Sequence, residues 1–248
     1  LDHIDLCSGI GGFALGFEWA GLSKPVLFCD IEPWSRKVLK KHWPNVPIAS
    51  DVKELASDPE RLIPQTDPRN TILTAGYPCQ PFSVAGNQKG AEDNRHIWPY
   101  ILEIVAHKRP AWCVFENVYG HIGLGLDQVL FDLEAEGYAS RTFIVPACGV
   151  DAPQRRDRLW IVAHSDHERS QGRLYRGSDT QRKNQHGYSG CGGAMDRQPI
   201  QDRWATEPSV GRVAHGISKR VDRLRGLGNA IVPQIAQRIG ETILKNNQ

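Results

Sequence analysis

The chain has six cysteines but no Cys-x-x-Cys pair, so a structural zinc site of that spacing is not expected and no metal is assigned. It has almost no charge imbalance: a formal net charge of +2 over 248 residues does not announce a polyanion-binding protein, and local clusters have to carry that argument. No apolar run approaches the length of a bilayer crossing, nothing resembles a secretion signal, and no internal repeat is present. These absences set the expectation of a cytoplasmic protein, in a prokaryotic or phage-infected cell, with no membrane partner. Five of the six thiols (Cys7, Cys29, Cys113, Cys148 and Cys191) read as free thiols in a reducing compartment. Cys79 is the exception.

Hydrophobic residues make up 40% and charged residues 23%, the composition of a soluble globular chain long enough for one large α/β domain with a small appendage. Short β-rich runs, "HIDLC", "PVLFCD", "TILTA", "AWCVFEN", "RTFIV" and "RLWIVAH", alternate with helical patterns at "GFALGFEWAG", "PWSRKVLKKHW" and "IWPYILEIVAHK". That alternation predicts a doubly wound, mostly parallel sheet, and the near-continuous apolar strands predict burial on both faces. Residues 165–215 are polar, rich in Gly, Arg and Gln, and without periodicity; they read either as a loop-rich recognition segment or as a partly disordered one. Order returns where Ile231, Ile235, Ile239 and Ile243 recur every four residues, an amphipathic helix begun near Pro233. The expected division is a catalytic and cofactor-binding domain over 1–163, a small target-recognition region over 164–222, and a C-terminal helix over 223–248 that returns to the first domain.

The stretch "TAGYPCQPFSVAG" runs from a buried strand into Gly76 and Pro78, with Pro81 behind them, residues that continue neither a helix nor a central strand. Cys79 therefore falls on a rigid turn at the carboxyl end of a strand, where open α/β sheets place their sites. Between the first strand and first helix, "CSGIGGF" supplies glycines that permit a tight turn and close approach to a ligand. The second strand ends in Asp30, with Glu32 beside it. A carboxylate there suits the ribose of an adenosine-containing cofactor; an ordinary turn with a solvated acid is the alternative. "FENV" ends another strand with Glu116 and Asn117, which with a nearby thiol makes a nucleophile and a proton donor in one cleft. "QRRDR" sets Arg156 and Arg158 two apart on one face, with Arg155 on the other.

In order and spacing, "DLCSGIGGF", the acid after strand two, "SDV", "GYPCQPFS", "ENV", "QRRDR" and "GLGNAIVP" resemble the cytosine-C5 DNA methyltransferases in a compact, phage-type form. The resemblance covers residues 2–163 and 221–245. It implies a Rossmann-like fold dependent on S-adenosylmethionine and methylation of cytosine C5 in double-stranded DNA, through a covalent bond from Cys79 to C6 of a flipped-out base. It implies catalytic roles for Cys79, Glu116, Asn117, Arg156 and Arg158, with both arginines near the base. For the cofactor it implies Gly9 and Gly11 at the methionine part, Asp30 at the ribose, Asp51 and Val52 at the adenine, and Pro78 and Asn229 as walls. Ser8, Ile10, Ile31 and Ile231 complete that set. Gln80, Ser83, Arg203, Arg212, Arg220 and Arg223 are the DNA-reading candidates, and a monomer is expected. The chain departs from the family in carrying Cys7 where an aromatic residue is usual, Asp30 where glutamate is usual, and a short recognition region. Two rivals stay open: a transfer-RNA cytosine-C5 methyltransferase and a catalytically silent DNA-binding relative. A nicotinamide-dependent oxidoreductase is a third, though it has no use for the cysteine turn together with "ENV".

Overall fold

The computed structural model describes residues 1–78, 97–152, 154–165, 226 and 228–246. The expectations for Cys79, Gln80, Ser83, Arg203, Arg212, Arg220 and Arg223, and for all of the polar segment 165–215 beyond Ser165, lie outside the described residues. Seven strands form one sheet: β1 (Asp2–Leu6), β2 (Lys24–Cys29), β3 (Ile48–Ala49), β4 (Thr71–Ala75), β5 (Trp112–Val118), β6 (Tyr138–Pro146) and β7 (Asp157–Ser165). Their order is β3-β2-β1-β4-β5-β7-β6. Pairing is parallel from β3 through β5, while β7 runs antiparallel to both of its neighbours. This is a doubly wound and mostly parallel sheet, as the alternation predicts.

The helices are α1 (Gly12–Ala20), α2 (Pro33–His42), α3 (Val52–Ser57), α4 (Pro59–Leu62), α5 (Trp98–Lys108), α6 (Leu126–Ala135) and α7 (Pro233–Asn246). Strand alternation sends Ile4, Leu6, Leu73, Ala75, Cys113 and Phe115 to one face, where they pack with Ile101, Ile104 and Val105 of α5 and Val129 and Leu133 of α6. Ile72, Val114 and Trp160 go to the other face, under Phe13 and Phe17 of α1 and Ile235, Ala236 and Ile243 of α7. Helix α7 lies almost flush on α1: a methyl group added at Gly16 would sit 2.3 Å from the Pro233 carbonyl oxygen, and one at Gly12 2.8 Å from that of Ile231. The C-terminal helix thus returns to the first motif and forms part of the core.

One expectation is corrected. "RTFIV" belongs to β6, the outermost strand, and leaves Phe143 and Ile144 48% and 42% exposed. An apolar run in this edge strand therefore does not signal burial on both faces.

A buried polar chain crosses the centre of the sheet. His3 Nε2 lies 2.8 Å from Thr74 Oγ1, and Thr74 donates to Asp5 Oδ1 at 2.6 Å, with all three residues fully buried. Burial pushes the Asp5 carboxyl up to about 8 and the His3 imidazole down to about 3, so both are neutral at pH 7. The chain ties β1 to β4, the pair at which the winding reverses direction.

Candidate active site

At that reversal the loops leaving β1 and β4 diverge and open a crevice at the carboxyl ends of the strands. On the β1 side the backbone turns through left-handed conformations at Cys7 (φ 51°) and Gly9 (φ 55°). A side chain at Gly9 would be strained in that conformation. Gly9 N donates to Asp30 Oδ2 at 2.7 Å, and Glu32 N donates to Oδ1 at 2.8 Å. Arg36 braces the same turn by donating to the Asp30 and Ile31 carbonyls, both at 2.8 Å. Burial raises the Asp30 carboxyl above its usual range, and the two backbone N–H groups offset part of that rise. Asp51 caps α3, accepting from Lys53 N at 2.9 Å. Ile31, 70% exposed, and Val52 offer apolar surface beside these acids.

On the other side, the reversed direction of β7 decides the geometry. Its first residues lie against the carboxyl end of β5, pairing Val118 with Arg158 and Glu116 with Trp160. Arg158 Nε therefore meets Glu116 Oε1 at 2.9 Å. Glu116 is 8% exposed, and burial pushes its carboxyl up to about 7 even though Arg158 and Arg156 pull the other way. Asn117 donates from Nδ2 to the Tyr77 carbonyl at 3.2 Å and accepts from Val118 N at 2.8 Å. It thus fastens the β5 end to the chain leading into Pro78.

Arg156 is placed differently from the expectation that paired it with Arg158 at the base. It lies one residue before β7 with φ 35°, so strand alternation does not govern its direction. Its guanidinium donates to the Gly228 carbonyl at 2.7 Å and the Ala230 carbonyl at 3.0 Å, gripping the chain on either side of Asn229. Arg155 points outward, paired with Asp157 at 2.9 Å.

A cavity of about 760 Å³ joins the two sides. Of the expected residues it is lined by Gly9, Asp30, Ile31, Asp51, Val52, Pro78, Glu116, Asn117, Arg156, Arg158 and Asn229. Ser8, Ile10, Gly11 and Ile231 are not among the lining. Ser8 is buried and accepts from Cys29 N at 3.2 Å, holding β1 to β2, while Ile231 packs against Gly12 and Gly76. Cys7 and Cys29 form one wall; burial pushes both thiols up, Cys29 to about 12, so neither is a ready nucleophile. The sequence reading missed Trp34, Lys53, Tyr77, Ile97 and Gly226 as lining residues. Trp34 and Lys53 stand in the first turns of helices that follow a strand, and helix starts at the carboxyl edge face the crevice. That rule was sufficient to find them.

The profile of the C-5 cytosine-specific DNA methylases matches residues 1–204. Type II methyltransferase M.NgoBI of Neisseria gonorrhoeae is 34% identical over 168 residues, covering 66% of this chain and 50% of that protein. Type II methyltransferase M.NlaX of Neisseria lactamica is 34% identical over 175 residues, covering 66% and 52%. This chain therefore spans about half the length of the curated relatives it matches. Among solved structures, the S. pombe Dnmt2 methyltransferase is similar in fold with a TM-score of 0.57 at 23% identity, over 72% of this chain and 52% of that one. Spodoptera frugiperda DNMT2 gives 0.53 at 23%, over 67% and 50%. A family profile that accounts for most of the chain agrees with an acid-lined crevice on one side of the reversal and a buried carboxyl–arginine pair on the other: the chain belongs to the C-5 cytosine-specific DNA methylase family.

Proposed function

We propose that this protein transfers a methyl group from S-adenosylmethionine to C5 of cytosine in double-stranded DNA. The observation that carries the reading is Glu116: a carboxyl held near neutrality by burial, at the end of β5, facing the same cavity as Asp30. The cofactor fits the residues present. Asp30 keeps acceptor capacity on both oxygens for ribose hydroxyls, Ile31 and Val52 offer apolar surface to a purine, and Asp30, Glu32 and Asp51 suit a sulfonium charge. When bound, the cofactor supplies an electrophilic methyl group.

The chain's own residues do the rest. The Cys79 thiolate adds to C6 of a cytosine turned out of the duplex, forming the S–C6 bond and moving the electron pair of the C5–C6 double bond into the ring. Glu116 in its neutral form donates to N3, stabilising the density that addition places on the ring. Arg158, paired with Glu116, donates to the base carbonyl oxygen and favours the thiolate by its charge. Asn117 keeps the Pro78 turn in register with Glu116. Once C5 carried the methyl that the bound cofactor would supply, its proton would pass to solvent, the N3 proton would return to Glu116, and the pair left at C5 would re-form the C5–C6 double bond and expel the Cys79 thiolate. Gln80, Ser83, Arg203, Arg212, Arg220 and Arg223 serve DNA contact, and residues 164–222 act as the recognition region.

The test is methyl transfer from radiolabelled cofactor to unmethylated mixed-sequence duplex DNA and, separately, to total RNA, with wild type beside Cys79→Ala. Label in DNA cytosine that Cys79→Ala abolishes, with cofactor binding retained, is the expected result. An unchanged Cys79→Ala removes the nucleophile assignment, and label confined to RNA replaces the substrate.

A further inference from the structure

Tyr77 stands between β4 and Pro78 and is 3% exposed. Its ring lies 5.5 Å from that of Trp98, and it meets Phe115 and His121 edge-on at 6.3 and 5.6 Å. A phenylalanine would make all of these contacts, so packing does not explain the hydroxyl. That oxygen is 3.0 Å from His121 Nε2, in the 3-10 turn Tyr119–Gly123 that follows β5. The same residue's carbonyl accepts from Asn117 Nδ2. Tyr77 is thus held at both ends, by its backbone through Asn117 and by its ring through His121, and both holders belong to the segment that begins at Glu116.

Building on the reading above, we propose that Tyr77 and His121 are positioning residues for methyl transfer, their hydrogen bond fixing the register between the chain that leads into Cys79 and the chain that carries Glu116 and Asn117. Apolar packing alone tolerates sliding by a fraction of an ångström. A buried, directional hydrogen bond does not, because displacement strands two polar groups out of reach of water. Burial lowers the His121 imidazole, which keeps it neutral at pH 7 and makes this a neutral bond. Its other nitrogen, Nδ1, is buried without a partner among the described residues, so the imidazole gains its polar contact here through Nε2 alone.

The test compares wild type with Tyr77→Phe, His121→Leu and His121→Gln, the last retaining a group able to reach the phenol. Single-turnover methyl transfer to the mixed duplex, cofactor affinity by calorimetry, and urea stability are measured for each. Tyr77→Phe and His121→Leu are expected to slow transfer about tenfold, the rate equivalent of one lost neutral hydrogen bond. His121→Gln is expected to recover most of that loss, with cofactor affinity within about twofold throughout. A Tyr77→Phe protein that is less stable but transfers at the wild-type rate overturns the inference, as does a rate loss matched by lost cofactor affinity. A wild type that labels nothing refutes the methyltransferase reading and this inference with it, and is told apart because the variants then have no rate to lose.

Discussion

Replacing Glu116 with Gln keeps the side chain's shape and removes its titration, which makes the energetic cost of the buried carboxyl measurable. In the unfolded chain this group titrates at its ordinary 4.5, and in the folded protein burial has pushed it up to about 7. Below pH 4.5 it is protonated in both states and contributes nothing pH-dependent. Above pH 7 it is ionised in both, and the folded state then bears a charge that burial disfavours more than Arg158 favours. At ~1.4 kcal/mol per pH unit, that displacement amounts to about 3 kcal/mol. The stability of wild type relative to Glu116→Gln should therefore fall by about 3 kcal/mol as the pH rises through this window. Urea denaturation of both proteins, followed by tryptophan fluorescence between about pH 4 and pH 8, measures it, and all other titrating groups cancel in the difference. A flat difference refutes the reasoning. So does wild type gaining on the variant with rising pH, the outcome required if Arg158 held Glu116 ionised throughout. The expected result leaves roughly half of the molecules with a neutral Glu116 at pH 7, available as a donor.

Arg156→Met removes both donors that grip the chain around Asn229, and calorimetry should show cofactor affinity weakened by about tenfold or more, as for lost charge-assisted hydrogen bonds. The Glu116 pH window should extend upward in that variant, because Arg156 is one of the two charges that oppose the rise caused by burial. Gly16→Ala forces a methyl group to within 2.3 Å of the Pro233 carbonyl oxygen, a backbone atom with nowhere to retreat. It should lower stability by about 1–3 kcal/mol in urea, the usual cost of overpacking.

Where the sequence was legible, one period or one motif decided the matter. The strand runs and the Ile235–Ile243 spacing are local signals, and the motifs named both walls of the cavity. Other features depended on information that local pattern does not contain. Helix α6 carries Leu126, Val129 and Leu133 at helical spacing, yet it is absent from the helical patterns read in the sequence, because a short apolar stripe directly after Gly120, Gly123 and Gly125 has no side-chain cap to mark its start. Arg156 and Arg158 are two apart, and strand alternation puts such residues on one face. The strand begins only at Asp157, however, so the rule fails for Arg156. The Tyr77–His121 bond spans 44 residues and exists because β4 and β5 are neighbours, a fact of sheet order that neither residue's surroundings in the chain disclose.

The close fit of α7 on α1 also has a consequence for biosynthesis. The ribosome makes Gly12, Phe13, Gly16 and Phe17 well before the helix that covers them. A nascent chain halted before Pro233 exposes that stripe, and one halted before Asn229 also lacks the end of the cofactor cavity. Synthesis in this order makes the stripe a site for chaperone capture while translation proceeds.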